Sequence, residues 1–243
     1  MNKCHSADPA VGRPLVDVSR EGTVARMTMC RPPQHKLDLL LTRALHATLV
    51  ELDAADDVRA IVLTGSEGVF CGGADVPEIM ASGTLHDFSD AVVELFALFP
   101  VLRTPVVAAV GGNALAGGFG LMCCADIVLA VDDALLGTVE ARFGSWPVIA
   151  QVAALQRTPF PALRRNVLTG KPFTAEQAER LGVVDEIVPA ADLHARALEV
   201  AEEITVAGDA VATGRPQLYR ASTLPFREAL RAGADAFVAL AEG

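Results

Sequence analysis

Phe70-Cys71-Gly72-Gly73-Ala74-Asp75-Val76 and Gly111-Gly112-Asn113-Ala114-Leu115-Ala116-Gly117-Gly118-Phe119-Gly120 are the two stretches that decide the fold. Each follows a short apolar run, residues 60–63 before the first and 105–110 before the second, that reads as a buried strand. Small residues in such loops let a ligand approach the backbone closely. A helix beginning directly afterwards turns unpaired N–H groups and the positive end of its dipole toward that ligand. Two such loops side by side make an anion or oxyanion pocket. Glycines in loops also serve turns and close helix packing, so neither loop decides the matter alone. Nucleotide-binding readings fail on particulars. Gly112 and Gly117 have the P-loop spacing, but Gly118-Phe119 follows where Lys-Ser/Thr is required, and no G-x-G-x-x-G opens a helix after a first strand. No G-x-S-x-G is present to suggest a serine-hydrolase elbow.

Working outward, residues 16–19 and 23–29 read as a hairpin around Glu21-Gly22, and Leu41, Leu45, Leu49 and Leu52 mark the apolar stripe of a helix. Downstream of the first loop, residues 87–102 read as a helix with Val92, Val93, Phe96 and Phe99 on one side. Residues 116–124 form a small-residue helix and 127–131 a third buried strand. Helices are expected at 162–168, 175–181 and 193–204, a strand at 183–188, and an all-helical region over 191–241. Strands alternating with helices and then a helical tail predict an α/β fold with a C-terminal helical region. The organisation predicted is a flexible polar tail (1–13), an α/β core (14–190) and a helical region (191–243).

The chain has 243 residues, 51% of them hydrophobic and 21% charged, which excludes disorder and supports a substantial core. Thirty acidic against twenty basic residues give a net charge of −10, which opposes binding to a phosphate backbone, so no nucleic-acid partner is expected. Apolar runs are interrupted well before the roughly 20 residues of a membrane span. The first twelve residues resemble neither a secretory signal nor a transit peptide, and a cytoplasmic location is expected. The five cysteines, Cys4, Cys30, Cys71, Cys123 and Cys124, contain no C-x-x-C, which argues against a disulfide framework or zinc site. They read as packing residues, and no His lies near Cys71 or Cys124 in sequence to activate a thiol. His5, His46, His86 and His194 are scattered and read as surface or cap residues.

The first loop resembles the F-S-A-G-A-D-L loop of the crotonase (enoyl-CoA hydratase/isomerase) superfamily, and residues 112–120 resemble its second loop, N-G-x-A-x-G-G-G. Arg31-Pro32, Ala125-Asp126-Ile127, Leu168-Thr169-Gly170 and residues 175–188 continue the resemblance in order, over about residues 16–191 and more weakly to the end. It implies a spiral of ββα units whose C-terminal helices assemble homotrimers or dimers of trimers. The ligand it implies is an acyl-CoA thioester, with CoA part of the substrate and no separate cofactor or metal. On this resemblance the N–H groups of Ala74 and Gly117 are the oxyanion donors, while Gly72, Asp75 and Val76 line the CoA site. Lys36, after His35, falls where a CoA phosphate is met, and Trp146, with Arg142 and Phe143, falls beside the acyl chain. Hydratases of the family generally carry two glutamates. The first falls on Gly120 and is absent; the second falls on Glu140, after Val139 where a Pro is usual.

Removing or adding a proton beside a thioester carbonyl puts negative charge on its oxygen, which two fixed N–H donors stabilise. Glu140 is the acid/base candidate, with an ordinary exposed loop Glu as the alternative. The reaction expected is hydration of a 2-enoyl-CoA. The alternatives are a Δ3,Δ2-enoyl-CoA isomerase, for which one carboxylate suffices, and a non-catalytic acyl-CoA binder. The resemblance also implies a final helix beyond residues 226–241 that this sequence does not contain.

Overall fold

The computed structural model describes residues 5–7 and 14–242. Two strands, β4 (Ala60–Gly65) and β5 (Val106–Val110), are the apolar runs that precede the two loops, and β5 is buried along its whole length. Strands of this composition suit the centre of a parallel sheet, where both faces are covered. Five others surround them: β1 (His5–Ala7), β2 (Pro14–Glu21), β3 (Val24–Met29), β7 (Ile127–Ala130) and β10 (Glu186–Ile187). The order across the sheet is β1-β2-β3-β4-β5-β7-β10. β1, β2 and β3 pair antiparallel, and every pair from β3 onward is parallel.

The register Thr64↔Ala109 sets the carboxyl ends of β4 and β5 level, and the Thr64 hydroxyl donates to the Ala109 carbonyl at 2.8 Å. The two glycine-bearing loops therefore leave the sheet side by side, at the edge where open parallel sheets bind ligands. A second sheet of three short strands, β6 (Ala114–Leu115), β8 (Leu135–Gly137) and β9 (Phe173–Thr174), lies beyond them.

Helix α1 (Leu39–Ala54) carries the leucine stripe, with Leu41, Leu45, Leu49 and Leu52 all buried. Its N-cap is Asp38, whose carboxylate accepts from Leu41 N at 2.8 Å, a cap of about 1 kcal/mol. α1 packs on β2 and on α3 (Leu85–Leu98), which gives way to a single 3-10 turn, Phe99–Val101, at Pro100. Helices α2 (Val76–Ser82), α4 (Gly117–Cys123), α5 (Ala150–Leu155), α6 (Phe160–Thr169) and α7 (Ala175–Arg180) follow between the strands. α7 begins with a reciprocal capping box between Thr174 and Gln177.

The C-terminal region is helical as expected: α8 (Leu193–Thr205), α9 (Asp209–Thr223) and α10 (Phe226–Glu242). α8 covers β3, β4, β5 and β7. α9 docks through a buried ion pair in which Arg215 Nε reaches both oxygens of Asp126 at 2.9 and 3.0 Å. Asp126 also accepts from Tyr219 Oη and from Val106 N, and Arg215 Nη1 donates to the Leu102 carbonyl. α10 packs along α9, leaving Phe226, Leu230 and Phe237 exposed. Among the described residues no helix is long and apolar enough to cross a membrane.

Several expectations change in detail. The hairpin turn is Gly22-Thr23, one residue later than expected, with Gly22 at φ 60°. The strand expected at 183–188 pairs only at Glu186–Ile187. The expected tail contains a short strand at His5–Ala7 paired with β2, and its remaining positions lie outside the described residues.

Candidate functional site

Four segments meet above the carboxyl ends of β4 and β5. The segment before α1 pairs with the first loop: Leu37 N donates to the Gly73 carbonyl and Asp75 N to the Leu37 carbonyl, both at 2.8 Å. This bridge brackets Ala74 and leaves its own N–H on the side away from Leu37. The first loop in turn pairs with the second, with Cys71 N donating to the Asn113 carbonyl and Leu115 N to the Cys71 carbonyl. The second loop meets the end of β8, where Ala116 N donates to the Gly137 carbonyl at 3.0 Å.

Gly117 is the first residue of α4, so its N–H has no partner within the helix. Among the described residues neither this N–H nor that of Ala74 meets a backbone or side-chain acceptor. The two donors are neighbours: a Cβ built on Gly117 lies 3.6 Å from Ala74 N, and one built on Gly73 lies 3.1 Å from Gly117 N. That second atom also comes within 2.5 Å of Ala116 Cβ, so residue 73 admits only glycine, and at φ 95° it is in the region glycine favours. Ala116 is held at φ 54°, ψ −125°, a conformation costing about 1 to 3 kcal/mol in a residue with a Cβ. With α4 only seven residues long, any pull on a negative charge here comes from the two N–H groups rather than from a long helix dipole. Other glycines serve packing instead. A Cβ at Gly118 falls 2.2 Å from the Cys71 carbonyl oxygen, so α4 lies directly on the first loop.

Glu140 opens a 3-10 turn, Glu140–Phe143, three residues after Gly137. At about 3.3 to 3.6 Å per residue, its backbone lies within roughly 11 Å of the second loop's contact with β8. The side chain is half-buried, and Val139 N donates to its Oε2 at 2.8 Å. Burial pushes its pKa above the ordinary Glu value, opposed by hydrogen bonds from its own N–H and that of Val139. Below it, buried Asn166 of α6 binds residue 138 from both sides. Its Oδ1 accepts from Thr138 N and Oγ1, and its Nδ2 donates to the carbonyls of Thr138 and Lys171. Sequence reasoning passed over Asn166. The signal was an amide at a core position between Leu163 and Val167 of the same helix, which burial obliges to find partners.

Gly120 is walled in. A Cβ there meets Phe96 Cε2 at 3.0 Å and Ala150 Cα and Cβ at 3.1 and 3.3 Å, so the place of the absent first glutamate is filled by apolar groups. Phe96 also lines a cavity of about 540 Å³ together with Val93, Phe99, Ile149, Val152 and Tyr219. That volume and mostly apolar wall are typical of a small-molecule pocket.

The remaining expected positions divide. Gly72 N is already spent on the Gln34 carbonyl at 2.8 Å. Asp75 is ion-paired to Arg31 at 3.2 Å, and Val76 is exposed at the start of α2. Lys36 is half-buried beside the first loop, and among the described residues its ammonium meets no carboxylate within ion-pair distance. Trp146 is open to solvent on one side with Nε1 donating to Gln151 Oε1, and Phe143 is 81% exposed.

Buried His35 bridges the segment before α1 to the end of β4, its Nδ1 accepting from Arg31 N and its Nε2 donating to the Ser66 carbonyl. Burial pushes the Cys71 and Cys123 thiols up to about 12 and raises Cys124 as well, which suits packing and not nucleophilic chemistry. Cys4 lies outside the described residues. Among the described residues no group of three His, Cys, Asp or Glu is placed to hold a metal.

Comparison with known proteins accounts for this sheet order. A family model described as enoyl-CoA hydratase/isomerase matches residues 19–242. The chain belongs to the enoyl-CoA hydratase/isomerase family. It is 35% identical over 191 residues to "Probable enoyl-CoA hydratase echA8" of Mycobacterium bovis, covering 77% of this chain and 74% of that one. It is 30% identical over 220 residues to "Carnitinyl-CoA dehydratase" of Salmonella enteritidis, covering 88% and 84%. The crystal structure of an enoyl-CoA hydratase from Mycobacterium smegmatis superimposes with a TM-score of 0.89 at 25% identity, over 93% of this chain and 91% of that one. A family protein from Silicibacter pomeroyi gives the same TM-score at 26% identity, over 94% and 99%. The crotonase fold expected from the two loops is thus the fold observed.

Proposed function

We propose that this family member is an enoyl-CoA hydratase in which the N–H groups of Ala74 and Gly117 hold the thioester oxygen and Glu140 is the acid/base. The observation that carries this reading is the pair of unpaired, adjacent N–H groups on a scaffold that only glycine at residue 73 permits. As water adds to a 2-enoyl thioester, Glu140 takes a proton from it, the hydroxyl bonds to C3, and charge collects on the thioester oxygen. Returning the proton to C2 regenerates the carboxylate. Each oxyanion donor contributes about 3 to 4 kcal/mol to such a step. The raised pKa of Glu140 brings it closer to the operating pH, where proton transfer in both directions is efficient. The names of the relatives, a hydratase and a dehydratase, support the same chemistry.

CoA enters as part of the substrate, with Lys36 and the loop around Gly72, Asp75 and Val76 on its side of the thioester. Exposed Phe143, Phe226 and Phe237 support assembly as a homotrimer or dimer of trimers, in which Phe143 and Trp146 gain cover.

One observation favours a second reading. Phe96 and Ala150 fill the space at Gly120, so Glu140 works without a second carboxylate there. Moving a double bond from C3 to C2 needs one base carrying one proton, and Δ3,Δ2-isomerisation fits that arrangement. Ultraviolet absorbance separates the two, since the conjugated 2-enoyl thioester absorbs where the 3-enoyl and 3-hydroxyacyl forms do not. Hydration bleaches the absorbance of 2-enoyl-CoA. Isomerisation alone raises it to a plateau from 3-enoyl-CoA and leaves 2-enoyl-CoA untouched. Inertness toward both substrates, with binding retained, points to a non-catalytic acyl-CoA binder.

A further inference from the structure

We propose that Arg31 is a positioning residue for the oxyanion donor at Ala74. One guanidinium grips three groups: Nη1 donates to the Lys36 carbonyl at 2.7 Å and to Asp75 Oδ2 at 3.2 Å, and Nη2 pairs with Asp38 Oδ2 at 3.1 Å. Lys36 and Asp38 flank Leu37, and Leu37 is the residue whose N–H and carbonyl bracket Ala74. Asp75 is the residue directly after Ala74. Arg31 therefore holds both neighbours of Leu37 and one neighbour of Ala74, and fixes the bridge that turns the Ala74 N–H away from Leu37.

Arg31 itself is held in place. His35 Nδ1 accepts from its N–H, and all three ion-paired side chains are largely buried, at 22% exposure for Arg31, 12% for Asp38 and 21% for Asp75. The planar fork matters as well as the charge, because one ammonium of Lys cannot reach three acceptors in fixed directions. Arg31 also offsets the Asp75 carboxylate, which lies one residue from the N–H that must meet a developing negative charge. A displaced donor fails where the oxygen is most negative, so the loss falls on the enolate and spares the neutral thioester.

This inference rests on the assignment of Ala74 and Gly117 as oxyanion donors, and the test separates the two. The probes are butyryl-CoA, a saturated neutral thioester, and acetoacetyl-CoA, whose enolate has its own ultraviolet band. Turnover of 2-enoyl-CoA and 3-enoyl-CoA is followed alongside. Wild-type protein is expected to enrich the enolate of acetoacetyl-CoA on binding. Arg31→Gln is expected to lose that enrichment and to lower kcat on the turned-over substrate by about 10- to 100-fold, with the butyryl-CoA Kd within threefold of wild type. Arg31→Lys is expected to recover only part of the loss. Asp75→Asn, which keeps the volume and removes one ion pair, is expected to move the same way by about three- to tenfold, and serves where Arg31→Gln does not fold. Equal weakening of both ligands, or folded variants with wild-type kcat and enolate signal, overturns the positioning role alone. A wild-type protein that binds butyryl-CoA without enriching the enolate overturns the oxyanion assignment and this inference with it.

Discussion

Ala74 and Gly117 each leave one N–H without an acceptor and lie side by side, yet the two loops hold them by different means. Ala74 depends on partners distant in sequence: the bridge to Leu37 and the Arg31 clamp on Asp38 and Asp75. Gly117 depends on its immediate neighbours, namely the start of α4 and Ala116 at φ 54°. The first arrangement uses side-chain charge and tolerates an ordinary backbone at Ala74. The second uses backbone strain and involves no charged side chain. A substitution that disturbs charge therefore acts on the first donor, and one that changes backbone freedom acts on the second.

The largest effect is expected where the two loops touch. Gly73→Ala places a Cβ 2.5 Å from Ala116 Cβ at a φ of 95°, forcing the donors apart. The expected outcome is a loss of kcat of about 100-fold or more and a loss of stability of about 2 kcal/mol, read from steady-state kinetics and urea unfolding. Asp38→Ala acts on the first loop only. It removes the α1 cap and one arm of the clamp, so unfolding free energy should fall by about 1 to 2 kcal/mol with a smaller loss of kcat, about three- to tenfold. Ala116→Gly acts on the second loop only and in the opposite sense for stability. Relief of strain should raise the unfolding free energy by about 1 kcal/mol, while the freer backbone holds the Gly117 N–H less firmly and lowers kcat by about threefold.

The smallest effect is on stability, at Glu140, and it depends on pH. A Glu with a raised folded pKa holds its proton to higher pH in the folded state than in the unfolded state. Its contribution to stability is therefore fully present below the unfolded pKa and is lost as pH rises through the folded pKa. Glu140→Gln is expected to raise the midpoint of thermal unfolding slightly at pH 7, with the gain shrinking to nothing as the pH is lowered through the carboxylate range. In wild-type protein the acid limb of kcat/KM should lie above the range of an exposed Glu.

Much of this architecture was legible because its signals were long or repeated. The leucine stripe of α1 and the fully apolar β5 repeat one signal over several turns or residues, and the structure places both where their patterns imply. The strands of the small sheet, β6, β8 and β9, have two or three residues each, too few to show a period, and none was expected. The two loops marked Ala74 and Gly117 as candidates, but not how their N–H groups are held. Leu37, Asp38 and Arg31 reach Ala74 through tertiary contacts between segments about 40 residues apart. Sequence singled out Glu140 as a candidate but not Asn166, 26 residues further on, which holds the neighbouring Thr138. The absence of a carboxylate at Gly120 could be read directly, whereas its enclosure by Phe96 and Ala150 required the packing of α3 and α5 against α4.

The central claim is that two backbone donors and one carboxylate act together on an acyl-CoA thioester. Its most direct test compares wild-type protein and Glu140→Gln in the ultraviolet assay on 2-enoyl-CoA and 3-enoyl-CoA, with the affinity for butyryl-CoA measured in parallel. The expected result is turnover of at least one substrate by wild type, a loss of about 100-fold or more in the variant, and unchanged affinity for butyryl-CoA. Equal rates in the two proteins, or no turnover of either substrate by wild type, would contradict it.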